Sequence, residues 1–121
     1  MKTWLIAGAL MAALSVLIGA FGAHGLKSRV TSMDLKIFET GVKYQMYHSL
    51  GLILIGIIGF HLPHHLLRIP TYLLFSGTLI FSGSLYILVL TNIRWLGAIT
   101  PIGGICLVFG WTLLSLNIYR Y

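Results

Sequence analysis

Four stretches of the chain are apolar over roughly the 20 residues a helix needs to cross a hydrocarbon layer. Thr3 to Ala23 contains no Asp, Glu, Lys, Arg or His; Tyr44 to Phe60 contains only His48. Ile69 to Ile93 and Trp95 to Tyr119 contain none. The strict polar–apolar alternation of a membrane barrel strand is absent. The pattern predicts an all-α membrane protein, a single transmembrane domain over 1–121, with spans at 3–23, 44–61, 70–92 and 95–117. The first run exceeds the roughly 7–15 apolar residues of a signal-peptide core, so it is expected to be a retained span.

Breaker residues fall between the runs. Gly25 follows the first; Pro63 and Pro70 bracket the second loop, with Pro70 suited to the opening turn of the third helix. Asn92 and Arg94 mark a short third turn, and Pro101 lies inside the fourth run, where a kink is tolerable if neighbours satisfy the freed carbonyl. The first loop holds most of the charge. Thr31 or Ser32 is placed to cap a helix there, Glu39 and Lys43 stand four apart, and Met33, Ile37 and Phe38 give it an apolar side. These features predict a short interfacial helix feeding into the second span or continuous with it, the alternative being an ordinary solvated connector.

Lipid is as apolar as leucine, so burial alone cannot pull such helices together, and small residues must let backbones approach. Gly8, Ala12, Ser15 and Gly19 recur on one face of the first run, and Gly83, Gly103 and Gly104 offer the same in the third and fourth. The expected architecture is four transmembrane helices in a compact bundle.

Composition sharpens this picture. The chain is 58% hydrophobic and 8% charged, against about 25% charged in soluble domains. Its net charge of +6 is dispersed over several loops, which excludes the basic stripe of a nucleic-acid binder. Lys27, Arg29, Lys36, Lys43 and Arg94 lie on one side and Lys2, Arg68 and Arg120 on the other. By the positive-inside rule the 24–43 and 92–94 loops face the cytoplasm of a cell-membrane protein and both termini lie outside.

No acidic residue lies within a span, which argues against proton- or cation-coupled transport. No loop or span assembles a nucleophile, base and orienting group, so no catalytic residues and no enzyme activity are expected. The lone Cys106 reads as a small apolar side chain. His61, His64 and His65 crowd the second loop without a carboxylate or thiol to complete a metal site. The one suggestive group is a polar cluster at one mouth of the bundle: His24, Tyr44, Gln45, His48, Tyr86 and Thr100. His24 ends the first span, His48 lies about one turn into the second, and chain reversal would put them at one interfacial level. The cluster reads either as side chains satisfying loop backbone or as a site for haem, a quinone or a lipid headgroup.

Several ordered motifs carry a family likeness: Gly19-Ala-Phe-Gly-Ala-His-Gly-Leu26, Tyr44-Gln-Met-Tyr-His48, Phe81-Ser-Gly-Ser-Leu-Tyr86, Leu96-Gly-Ala-Ile-Thr-Pro-Ile-Gly-Gly104 and Gly110-Trp111. Through them the chain resembles the YgdD/YwdK-type bacterial membrane proteins, domain of unknown function 423, across nearly its whole length. The resemblance implies a multi-span plasma-membrane protein and brings no activity, cofactor or residue role. The leading functional expectation is therefore a non-enzymatic protein of the lipid bilayer that packs against another membrane protein or forms a homo-oligomer. A ligand-binding module at the His24/His48 end and an oligomeric channel or transporter are the alternatives.

Overall fold

The computed structural model describes residues 1–121 and is entirely helical. Helix α1 (Lys2–Phe21) runs on into a π-helical turn over Gly22–Leu26; α2 spans Ser32–Ile58 and α3 spans His64–Thr91. A 3-10 turn over Arg94–Ala98 precedes α4 (Thr100–Arg120). Three stretches are long and apolar enough to cross a membrane: Lys2–Leu26, His64–Thr91 and Arg94–Arg120. Helix α2 is as long, but Lys43, Gln45, His48 and Ser49 make its middle more polar.

Helix boundaries depart from the expected ones at three places, each with a local cause. The polar stretch of the first loop forms no separate helix, because it is the N-terminal part of α2. Thr31 Oγ1 accepts the Asp34 N–H at 3.1 Å and so caps a continuous run of 27 residues. Helix α3 begins at His64, so Pro70 lies inside it rather than in its opening turn. Proline there has no N–H for the Leu66 carbonyl, and Asn117 Nδ2 of α4 donates to that carbonyl instead, at 2.8 Å. The fourth run is broken at Ile99, and Pro101 sits in the first turn of α4, where its missing N–H costs no intrahelical hydrogen bond. At the other end of α3, Asn92 takes the left-handed conformation (φ 58°) and donates to Leu88 O at 2.8 Å, closing the helix.

Backbone contact runs between chain neighbours only: α1 with α2, α2 with α3, and α3 with α4. Helices α1 and α4 flank the central α2/α3 pair and have no backbone contact with each other. Two glycines set the closest approaches. A Cβ on Gly8 would lie 2.7 Å from the Ser49 carbonyl oxygen of α2, and one on Gly103 would lie 2.5 Å from the Phe81 nitrogen of α3.

The interior is layered. Met11, Leu52, Ile55, Leu67, Leu74, Leu107 and Leu114 form one apolar cluster toward the chain termini. Leu26, Phe38, Leu88 and Val89 form another toward the first and third loops. Between them lies a belt of polar side chains, each bonded across or along helices. Ser15 Oγ donates to Val42 O at 3.0 Å, Ser82 Oγ to Gly41 O at 2.7 Å, and Gln45 Nε2 to Met11 O at 2.8 Å. No buried side-chain nitrogen or oxygen lacks a partner. The outer surface is the reverse: Leu17, Val108 and Phe109 are each more than 60% exposed. Polar groups inside and large apolar groups outside are what a hydrocarbon solvent selects.

Candidate functional site

The α2 segment from Gly41 to Ser49 carries the polar belt, and the residues expected to cluster divide around it. His24 does not join them. Gln45 is level with Met11 of α1, to whose carbonyl it donates. His24 lies a further thirteen residues along α1 and its π-helical turn, about 20 Å away at the rise of a helix. His48 follows Gln45 by one turn in the opposite direction, since α2 returns antiparallel. The two histidines therefore cannot share a ligand, and the expected common level is wrong. The error came from starting the second helix near Tyr44, whereas α2 is already three turns old at that point.

His48 is 6% exposed and both ring nitrogens are engaged. Nδ1 lies 2.7 Å from the Tyr44 carbonyl oxygen, and Nε2 lies 3.1 Å from Trp111 Nε1 of α4. A carbonyl has no hydrogen to give and an indole N–H has no lone pair. The geometry thus assigns one neutral tautomer, with Nδ1–H donating to Tyr44 O and Nε2 accepting from Trp111. Neither nitrogen is free to ligate haem iron or another metal while these bonds hold. Tyr44 stacks on Phe81 of α3 with ring centroids 4.4 Å apart, and beyond it on His48 at 6.2 Å.

Gln45, about 60° round the helix from His48, is turned toward α1 and α3 instead of α4. Its Oε1 accepts from Tyr86 OH at 2.6 Å, and the Tyr86 ring packs on Phe38 with centroids 5.1 Å apart. Thr100 belongs elsewhere again. Its hydroxyl pairs with Ser84 at 2.6 Å and pins the start of α4 to α3.

Two clefts open from this belt onto the apolar surface. The larger, about 630 Å³, is walled by Tyr44, His48, Phe81, Gly104, Val108 and Trp111. The smaller, about 210 Å³, lies between α1, α2 and α3 and is lined by Leu14, Gln45, Gly83 and Tyr86 among others. The glycines expected to mediate helix packing separate accordingly. Gly8 and Gly103 meet neighbouring backbone, a Cβ on Gly19 would come within 3.2 Å of Val42, Ser15 is bonded to α2, and Ala12 is half-buried. Gly83 has nothing within 4 Å of where a Cβ would stand, and at Gly104 the nearest atom is a Phe81 ring carbon at 3.8 Å. Gly83 faces open space and Gly104 meets only the edge of the Phe81 ring at contact distance; neither brings two backbones together, and both line the clefts.

Trp111 and Phe81 had no place in the polar cluster read from the sequence. A signal for Trp111 existed, because tryptophan favours membrane interfaces and one in mid-run needs a partner for its N–H. The pair between Asp34 and Arg94 was also missed. Arg94 Nη1 and Nη2 donate to Asp34 Oδ1 and Oδ2 at 2.9 and 2.7 Å, tying the start of α2 to the turn before α4. These bonds hold the Asp34 carboxyl below its ordinary pKa and push the Arg94 guanidinium up, each partner being the main cause of the other's shift.

Comparison with known proteins agrees with the membrane setting. The profile of the family described as "Protein of unknown function (DUF423)" matches residues 18–104. A UPF0382 membrane protein of Staphylococcus haemolyticus is 48% identical over 121 residues, covering 100% of this chain and 98% of the relative. A UPF0382 membrane protein of Staphylococcus saprophyticus is 48% identical over 120 residues, covering 99% of each. The UPF0382 membrane protein YwdK of Bacillus subtilis is 42% identical over 122 residues, covering 100% of this chain and 99% of the relative. No solved structure matches the chain.

Proposed function

The chain belongs to the DUF423 family of membrane proteins, and from that premise we propose that it is a non-catalytic binding protein for a small membrane-dissolved molecule, held in the cleft between α2, α3 and α4. One observation carries this reading. The cleft has aromatic walls, a hydrogen-bonded pair of buried His48 and partly exposed Trp111, and at Gly104 a helical glycine that meets no neighbouring backbone, only the Phe81 ring edge at 3.8 Å. Glycine inside a helix costs about 1 kcal/mol relative to alanine, so a packing role would be expected if the space had no use. The satisfied polar belt supports the same reading over a channel, since every buried side-chain nitrogen and oxygen is already hydrogen-bonded within the protein.

In this reading α2 also crosses the membrane, making four crossings. The loops at 24–43 and 92–94 are cytoplasmic and the first turns of α2 lie at the interface. His48 is then ten residues from the end of α2, about 15 Å, near half of a hydrocarbon core of about 30 Å. An ionisable side chain at that depth is most often functional. A phospholipid headgroup does not reach that level, which favours a compact, weakly polar ring over a headgroup.

Native mass spectrometry in mild detergent tests the reading. Wild type is expected to carry a bound small molecule that is absent from Gly104→Leu, whose larger side chain fills the cleft without meeting backbone. If both proteins release the same set of molecules, the cleft is not the site.

A further inference from the structure

The bond between Trp111 and His48 restricts what chemistry the cleft can accept. The indole N–H only donates. His48 Nε2 only accepts, because Nδ1–H is committed to the Tyr44 carbonyl at 2.7 Å. In the closed pair, 3.1 Å apart, each satisfies the other. A ligand group that reaches the floor must part them to roughly 4.5–5 Å, the span of two hydrogen bonds meeting at one oxygen. Trp111 is the partner able to yield: it is 40% exposed at the cleft edge, whereas His48 is 6% exposed and held by its own helix.

Each candidate group can be weighed by what it leaves unpaired. A carbonyl or ether oxygen accepts from Trp111 but gives nothing to Nε2, stranding a buried acceptor in an apolar cleft. An ammonium group donates to Nε2 but strands the indole N–H, and it carries a charge into hydrocarbon. A hydroxyl does both at once: it accepts the indole hydrogen and donates its own to Nε2. We propose that the ligand's polar group is a hydroxyl inserted between Trp111 Nε1 and His48 Nε2. A phenolic hydroxyl is the member of this class that suits the aromatic lining, since Tyr44, Phe81, Phe109 and Trp111 wall the cleft. For a redox lipid this means that the hydroquinone is taken and the quinone is rejected. The proposal rests on the cleft being the binding site, as argued above.

Durohydroquinone and duroquinone separate the two ideas, because they share a ring and four methyl groups and differ only in bearing hydroxyls or carbonyls. Binding is measured by anaerobic equilibrium dialysis against full-length protein in phosphatidylcholine nanodiscs, with protein-free nanodiscs correcting for partition. The hydroquinone is expected to bind about ten-fold tighter or more, the cost of one stranded buried acceptor. His48→Phe is expected to erase that preference, since the freed indole N–H serves either oxygen. If His48→Phe does not fold, Trp111→Phe serves: Nε2 still accepts from the hydroquinone alone, so the preference persists. Equal binding, tighter quinone binding, or loss of the preference in Trp111→Phe overturns the hydroxyl assignment and leaves the cleft standing. No saturable binding of either probe by wild type removes the cleft reading, and this proposal with it.

Discussion

Asn117→Leu is the sharpest test of how this fold tolerates a proline inside α3. Pro70 supplies no N–H, so the Leu66 carbonyl depends on Asn117 Nδ2, 2.8 Å away and 51 positions along the chain. Leucine is close to asparagine in size, so the substitution chiefly removes the donor. Interhelical hydrogen bonds in membranes average about 0.6 kcal/mol and reach about 1.7 kcal/mol, and this one has no local substitute. A loss of about 1–1.5 kcal/mol is expected, toward the upper end of that range. The decisive arm is Pro70→Ala, which restores an N–H one turn after Leu66. In that background Asn117→Leu should cost only about 0.3 kcal/mol, leaving a coupling energy of about 1 kcal/mol between positions 70 and 117. Any cavity made by the smaller residue cancels, because costs are compared within one background. The assay is reversible unfolding in mixed micelles with increasing denaturing detergent, run on all four corners of the cycle. Equal costs of Asn117→Leu in the two backgrounds would refute the reasoning, for the asparagine would then not be standing in for the missing amide.

Three further outcomes follow from the same geometry. Gly103→Val, whose Cβ would meet the Phe81 nitrogen at 2.5 Å, should destabilise by about 2 kcal/mol or more, while Gly83→Val, with open space around it, should cost less than about 0.5 kcal/mol; unfolding midpoints of the two decide. Tyr86→Phe removes the donor to Gln45 Oε1 and should cost about 1 kcal/mol; in a Gln45→Leu background the same change should cost almost nothing, and a full cost there would show that the 2.6 Å bond is not the source. The Asp34 carboxyl is held below its ordinary pKa by Arg94, so its contribution is fully present above the unfolded-state value of about 3.9 and is lost as pH falls through the lower folded value. Protection of the 92–98 amides, exchange rate relative to the intrinsic rate at each pH, should therefore hold from pH 7 to about 4 and fall below; in Asp34→Asn it should be low throughout, and matching profiles would reject the link.

The helical class and the membrane setting were legible in local runs of residues. Hydropathy over about 20 positions is a property of one segment, and no neighbour alters it. Capping at Thr31 was legible for the same reason, since its partner is three residues away. Small residues were legible as a type, but their use was not. Gly103 and Gly104 are adjacent in sequence, yet one touches the Phe81 backbone and the other faces a cleft. Successive residues on a helix point about 100° apart, so helix rotation alone separates those roles.

The candidate site depended on that rotation and on the axial stagger between helices. His48 finds Trp111 across 63 positions, Tyr86 finds Gln45 across 41, and Arg94 finds Asp34 across 60. Where α2 starts sets the level of every residue on it; extending it back to Ser32 carried His48 away from His24 and into the middle of the bundle. Apolar runs specify that each segment is a helix in lipid, because lipid solvates every apolar face alike. Which polar atoms meet is specified by hydrogen bonds that exist only once the helices have docked, and no single segment contains both ends of such a bond.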